Sequence, residues 1–222
     1  MDLLEAIKAR HSVRSYLDKP IEGDIKDELV SFIDEVNKES GLHIQLILNE
    51  PKAFGSFTAH YGMFKGVTDY IALVGKDDKA LDEKCGYYGE KIVLKAQQLG
   101  LNTCWVALTY SKVKDAYVVD EGEKLCLVIA IGYGETQGHQ HKSKTREKVM
   151  KINSEPPLWF INGIDAALLA PTAVNQQKFT FTLNGNKVSA KAGLGFNNKV
   201  DLGIVKYHFE IGAGKDNFEW NI

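Results

Sequence analysis

The chain has 222 residues, 44% of them hydrophobic, with 27 Lys or Arg against 29 Asp or Glu, for a formal net charge of −2. That is apolar material for one buried core, or one and a half, and a charge balance with no general pull toward nucleic acid. No apolar run reaches the length of a membrane span and no charged-then-apolar leader opens the chain, so a cytoplasmic protein that neither enters a membrane nor is exported is expected.

Asp2 reads as an N-cap with Glu5 three residues on, and Leu3, Leu4 and Ile7 make an apolar stripe, so a first helix should run to about Arg10. Ile25, Leu29, Phe32, Ile33 and Val36 recur at helical spacing and predict an amphipathic helix over 25–36. Residues 42–48 alternate like a strand, and 69–75 form a short apolar run between turn residues, as a buried strand does. A helix follows over 86–99, carrying the small residues Gly89 and Ala96 and ending at Gly100. Residues 125–132 read as another buried strand. The stretch 139–151 is polar and basic with no apolar period, and Pro156 and Pro157 close it, which predicts domains at 1–150 and 151–222. A helix over 158–170 stops at Pro171, a hairpin turns at Asn184, Gly185 and Asn186, and a last helix covers 201–212.

The chemistry starts where the first helix stops. Arg10, Ser12 and Arg14 occupy alternate positions, and in extended chain alternate side chains share a face. Two planar, permanently charged donor forks and a hydroxyl on one face make a clamp the size of a phosphate. The three cysteines, Cys85, Cys104 and Cys126, form no Cys-x-x-Cys pair and sit in apolar surroundings, so they read as reduced core residues. His139 and His141 lack a carboxylate or thiol at ligand spacing, so no metal is expected. Gly132-Tyr133-Gly134 has no third glycine or acidic partner and is not a dinucleotide fingerprint.

A second segment, Ala170-Pro171-Thr172-Ala173-Val174-Asn175-Gln176-Gln177, lies far along the chain from the arginines. With Arg10-His11-Ser12-Val13-Arg14 it resembles the FMN-dependent nitroreductase family, whose members carry an Arg-x-Ser-x-Arg/Lys opening and an Ala-Pro-Ser-x-x-Asn stretch. Leu99-Gly100-Leu101 before Trp105-Val106, the strand ending in Gly132 and Gly134, and Lys142-Ser143-Lys144 are similar to further elements of that family. The order differs: the Pro-Ser segment usually follows the opening by a few tens of residues, whereas here residues 36–45 have lost it and Pro171 comes late. A duplicated, fused chain accounts for this. The resemblance thus implies an α+β, nitroreductase-like fold with a central, mostly antiparallel sheet flanked by helices, duplicated within one chain as a pseudo-dimer with a truncated second half.

What the resemblance implies about the site follows residue by residue. Arg10, Ser12 and the backbone of His11 would meet the FMN phosphate, with Lys142 and Lys144 closing its shell and Arg146 able to replace either. Arg14 would reach the pyrimidine end of the flavin, where a fixed cation offsets the charge left by two-electron reduction. Trp105 and Val106 would lie beside the ring with a backbone amide toward N5, and Pro171, Thr172, Ala173 and Asn175 would form the other wall. No side chain is implied as a catalytic group, because the flavin carries the chemistry. The implied activity is that of an FMN-dependent oxidoreductase passing electrons from NAD(P)H to a small planar acceptor such as a nitroaromatic or quinone; an FMN-binding or storage protein without turnover is the alternative. Lys178 stands where the family has proline, and the stretch His60 to Lys65 is aromatic where many relatives are polar. A fused chain needs no partner subunit, which slightly favours a monomer.

Overall fold

The computed structural model describes residues 1–55 and 61–221; His60 of the aromatic stretch lies outside them. The chain divides into two compact units. One, the N-terminal unit, comprises Ala9–Leu81 and Lys91–His139; the other, the C-terminal unit, comprises Met1–Lys8, Asp82–Glu90 and Gln140–Ile222.

Helix α1 (Leu3–Ala9) opens with a reciprocal capping box. The Glu5 amide donates to Asp2 Oδ1 and the Asp2 amide to Glu5 Oε2, each at 2.8 Å, satisfying two amides that a helix start leaves without intrahelical acceptors. Helix α2 (Gly23–Ser40) buries Leu29, Ile33 and Val36 and ends on Gly41, whose φ of 67° suits glycine and whose amide reaches the Asn37 carbonyl. The expected strand over 42–48 shortens to β1 (Gln45–Ile47) because side chains claim the backbone before it. Ser40 Oγ accepts from the Leu42 amide, and the Asn37 side chain both accepts from the Ile44 amide and donates to its carbonyl.

Strand β2 (Asp69–Lys76) is buried at all but its last residue and pairs antiparallel with β4 (Glu123–Gly132) along its whole length. With β3 (Asn102–Val106) the order is β1-β2-β4-β3, all antiparallel, and the 69–75 run is an inner strand, as the unbroken hydrophobicity of Tyr70 to Val74 suggests. One face of this sheet packs Tyr70, Ala72 and Val74 with Cys104, Val128, Ala130, Val13 and Tyr16. Beyond β3, Ser12 bridges Thr103 in parallel, so the extended chain after α1 adds one more row to the sheet.

Between β2 and β3 runs α3 (Leu81–Gln98), which starts five residues earlier than its small-residue pattern suggests, since Leu81 and Cys85 extend the buried stripe. Its stop is as expected: Gly100 has φ 79°, and the Leu101 amide reaches back to the Ala96 carbonyl. Among the described residues no helix is long and apolar enough to cross a membrane.

In the C-terminal unit, α4 (Leu158–Leu168) and α5 (Asn198–Ala213) lie beside a second sheet of order β5-β6-β7-β8. Strands β6 (Phe179–Asn184) and β7 (Lys187–Ala192) form the expected hairpin. The short strands β5 (Met150–Lys151) and β8 (Glu219–Trp220) join its two edges in parallel. Phe160, Phe181 and Phe209 are fully buried, with Phe181 and Phe209 stacked 4.7 Å apart and Trp220 5.7 Å from Phe209. Burying such rings stabilises by about 1.5–3 kcal/mol each. Residues 82–90 of α3 cross α5 in this unit, backbone against backbone: a Cβ on Gly86 would fall 2.0 Å from the Val200 carbonyl oxygen, and one on Gly203 2.1 Å from that of Glu83.

Candidate functional site

The N-terminal unit brings the first motif together around one thiol. Cys104, in β3, is 3% exposed, and burial pushes its thiol up; the Arg14 charge, a hydrogen bond with Ser12 and the Arg10 charge oppose that rise. The thiol thus meets Ser12 and lies within the field of the arginines on either side of it, alternate residues of an extended segment. The parallel bridge to Thr103 and the Val13 amide donating to the Thr103 carbonyl at 3.0 Å hold that segment extended. Arg10 is itself 3% exposed, whereas Arg14 is exposed with its guanidinium 5.9 Å from the Phe64 ring centre.

The rest of the motif is framed by its neighbours. The Tyr16 hydroxyl donates to the Val13 carbonyl at 2.8 Å, and burial, the nearby thiol of Cys104 and, in opposition, the Arg14 charge leave Tyr16 well above the phenol range. His11 is half-buried, with its Cβ 2.8 Å from where a Cβ on Gly138 would lie; φ 71° at Gly138 suits only glycine there. Of the expected ring neighbours, Trp105 is half-buried and Val106 has its side chain in the core, leaving its backbone as the part that can meet a ligand. Tyr61 and Met63 are 76% and 73% exposed.

In the C-terminal unit the late segment and the basic pair meet. Lys144 Nζ donates to the carbonyls of Gln176 at 2.7 Å and Gln177 at 2.9 Å, spending two of its three donors on the backbone. Gln177, 3% exposed, ties the strands of this knot: its Oε1 accepts from the Lys144 amide, its Nε2 donates to the Lys142 carbonyl and to Asn175 Oδ1, and its amide donates to Thr172 Oγ1. Asn175 Nδ2 also donates to the Lys142 carbonyl at 3.0 Å, while the Lys142 side chain is exposed. Arg146 is taken by a bidentate pair with Asp165 at 2.6 and 2.7 Å, and His141 Nε2 lies 3.0 Å from the Leu168 carbonyl.

Pro171 is buried and ends the helical region, and the chain then turns sharply. Val174, Asn175 and Gln177 have φ of 47°, 53° and 44°, a left-handed conformation that costs a non-glycine residue on the order of 1 kcal/mol or more, most for a β-branched one. Val174 is also 91% exposed. Asp201 holds this turn from α5: Oδ1 accepts from the Ala173 amide at 2.9 Å and Oδ2 from Gln176 Nε2 at 2.7 Å. Asp201 lies outside the motif, and Gln176 and Gln177 lie within it but are not among its expected ligand contacts. The signal for Asp201 is a carboxylate set between the apolar Val200 and Leu202 in the first turn of the last helix.

Away from these segments, His43, Asp120 and Glu123 gather their ligand-type atoms within 4.8 Å of one another. Burial would raise Glu123, but the His43 hydrogen bond at 2.9 Å, the Asp120 amide and the His43 charge outweigh it and hold the carboxyl below its ordinary range. No motif in the sequence joins these three.

A family model described as "Putative TM nitroreductase" matches residues 2–213. Among solved structures, a putative nitroreductase from Thermotoga maritima is 25% identical, with 97% of this chain and 85% of that one covered at a TM-score of 0.71. A nitroreductase family protein from Streptococcus pneumoniae is 13% identical and covers 68% of this chain and 99% of its own at 0.55. A putative nitroreductase from Desulfovibrio desulfuricans, solved in complex with FMN, is 19% identical and covers 70% of this chain and 98% of its own at 0.51. No curated protein matches. The match over residues 2–213, on an α+β fold with an antiparallel sheet, means that the chain belongs to the TM nitroreductase family.

Proposed function

We propose that this oxidoreductase-family chain holds FMN and passes electrons from NAD(P)H to a small planar acceptor such as a nitroaromatic or quinone. The observation that carries the reading is that Arg10, Ser12 and Arg14 are alternate residues of an extended segment held against Thr103 at the edge of the first sheet. The donor set fits the group: a buried guanidinium and a hydroxyl suit a phosphate, and an exposed guanidinium beside an aromatic ring suits the anionic edge of a flavin. When bound, the flavin would supply hydride acceptance and electron storage that no side chain here provides.

The protein's part is to bind, orient and tune. Arg10, Ser12 and the His11 backbone hold the phosphate. Arg14 offsets negative charge at the pyrimidine end, and the backbone of Trp105 and Val106 supplies the amide toward N5. In the C-terminal unit, the exposed ammonium of Lys142, the remaining donor of Lys144, and Pro171, Thr172, Ala173 and Asn175 are assigned cofactor contacts by family resemblance. NAD(P)H and acceptor are transient ligands, the chain works in the cytoplasm, and it acts as a monomer.

The monomer follows from a fused pseudo-dimer, which the element order supports. The run α2-β1-β2-α3-β3 is matched by α4-β6-β7-α5-β8, with an antiparallel strand pair at the same place in each. Strands β2 and β3 are both antiparallel to β4, hence parallel to one another, and β7 and β8 are likewise parallel. The S. pneumoniae and D. desulfuricans chains each spend nearly their whole length on about 70% of this one, which fits added material in a shared fold.

The test is the visible spectrum and FMN content of the purified protein, followed by steady-state oxidation of NADH and NADPH with a nitrofuran or menadione. One FMN per chain with turnover supports the reading. Stoichiometric FMN without turnover supports the storage protein, which the exposed Tyr61 and Met63 in place of polar residues favour. No flavin after incubation with FMN rejects both.

A further inference from the structure

We propose that Asp201 is the positioning residue of the 171–177 segment, fixing in one conformation the wall that the cofactor reading assigns to Pro171, Thr172, Ala173 and Asn175. The inference rests on that reading for its ligand and on this unit's geometry for the rest. The carboxylate is 5% exposed, and its two oxygens take one backbone amide and one side-chain amide from the same turn: Ala173 N–H at 2.9 Å and Gln176 Nε2 at 2.7 Å. These bonds bracket Val174 and Asn175, two of the left-handed residues. Strain of this kind persists only where the surroundings over-determine it. Gln176 Nε2 also donates to the Phe196 carbonyl at 2.7 Å, so one carboxylate ties the turn both to α5 and to the 193–197 loop. Asp201 is the acidic group of that assembly, and the Lys144 ammonium holds the carbonyls of Gln176 and Gln177 from the other side.

The charge state gives the device a direction. Burial raises the Asp201 carboxyl to about 6, with the Gln176 and Ala173 hydrogen bonds pulling it down and no other charge contributing. The groups that face it, the Ala173 amide and the Gln176 carboxamide, are neutral. If opening of the turn wets the carboxyl, the open form binds its proton more weakly than the closed form. Linkage then makes acid favour the closed turn and neutral pH loosen it, by roughly tenfold between pH 7.5 and pH 5.

The experiment measures hydrogen exchange at the Ala173 amide in the cofactor-free protein from pH 5 to pH 7.5, corrected for intrinsic rates, together with FMN affinity by flavin fluorescence. In the wild type, protection of Ala173 should rise about tenfold as pH falls. Asp201→Asn should keep an acceptor for Ala173 but show a flat pH profile, and Asp201→Ala should lose at least tenfold in protection and in FMN affinity. Gln176→Ala, which removes the other arm without touching the carboxylate, should loosen the turn and leave the pH dependence in place if Asp201→Ala fails to fold. Unchanged Ala173 protection in both the Asp201→Ala and Gln176→Ala proteins overturns the proposal, as does a wild-type pH profile in Asp201→Asn. Loss of protection with FMN affinity intact also overturns it, since the turn would then position nothing for the cofactor. Absence of FMN binding to the wild type, with the exchange results as expected, rejects the flavin reading and supports the clasp alone.

Discussion

Gly86 and Gly203 are reciprocal. Each lies against the backbone three residues before the other: Gly86 against the Val200 carbonyl, Gly203 against that of Glu83. The two helices thus exchange the same roles where they cross. The spacing of 117 that carries Gly86 to Gly203 also carries Leu81 to Asn198, the first residues of α3 and α5. Side chains here flank the crossing, with Tyr87 donating to Glu210 at 2.5 Å and Lys206 paired with Glu83.

Alanine at either glycine has to push two backbones apart, because the obstructing atom is a carbonyl oxygen and not a flexible side chain. Gly86→Ala and Gly203→Ala should each destabilise by about 1–3 kcal/mol, the usual range for overpacking, lowering Tm by roughly 2–4 °C per kcal/mol for a domain of this size. The double variant should cost less than the sum of the two, since the first shift makes room for the second. Urea unfolding of the three proteins checks this, and additive losses would show that the two contacts yield independently.

Much of this molecule is legible from the residues because its devices are local. Asp2 and Glu5 cap each other within one turn, Gly100 stops a helix by its own φ, and the Tyr70-to-Val74 run is hydrophobic because both faces of its strand are covered. The spacing of Arg10, Ser12 and Arg14 likewise carries its own geometry. What escapes is settled over distance: β8 exists because β7 offers it an edge, the early start of α3 depends on what buries Leu81 and Cys85, and Gln177 matters through Lys142 and Lys144, more than thirty residues away. Lys144 shows the limit of a motif. The resemblance gives it a phosphate to close on, yet its ammonium spends two donors on the backbone of residues 176 and 177.

Arg14 and Asn175 should separate cofactor tuning from cofactor holding. Arg14 is exposed and its guanidinium is free to face an anionic ring edge, so Arg14→Ala should lower the potential of bound FMN by on the order of 30 mV, the equivalent of about 1.4 kcal/mol for two electrons, with a smaller change in affinity. Asn175 bridges the Lys142 carbonyl and Gln177, so Asn175→Ala should loosen binding more than it shifts the potential. Spectroelectrochemistry and FMN titration of both variants make the comparison, and flavin properties unchanged in both would remove these residues from the site.

Thiol reactivity reads the same corner of the molecule without a flavin. Cys104 is 3% exposed with its thiol raised, and Cys85 is fully buried, whereas Cys126 is half-buried. The thiolate is the reactive form, so maleimide at neutral pH should label Cys126 first and Cys104 at least tenfold more slowly. Arg14→Ala removes the largest influence that lowers the Cys104 thiol and should slow it further. Peptide mapping of timed labelling decides it; faster labelling of Cys104 in the variant would mean that Arg14 shields the thiol more than it acidifies it.

Asp201 makes a prediction for global stability that runs opposite to the usual acid behaviour of a carboxylate. Its folded pKa of about 6 lies above the ordinary 3.8, so between those values the folded chain binds more protons than the unfolded one. Stability from this group is therefore fully present below about pH 4 and is lost as pH rises through about 6, by up to about 3 kcal/mol for a shift of this size. Glu123 has the other sign: held below its ordinary range, it contributes above that range and its contribution fades as pH falls through the folded value. Comparing wild type with Asp201→Asn by urea unfolding from pH 4 to pH 7 isolates the first group, because every other titration is common to both. The wild type should lose ground to the variant as pH rises, with the change centred between pH 4 and pH 6. A constant difference across that range would mean that Asp201 keeps an ordinary carboxylate pKa in the folded chain, and that the two amides it accepts from compensate its burial in full.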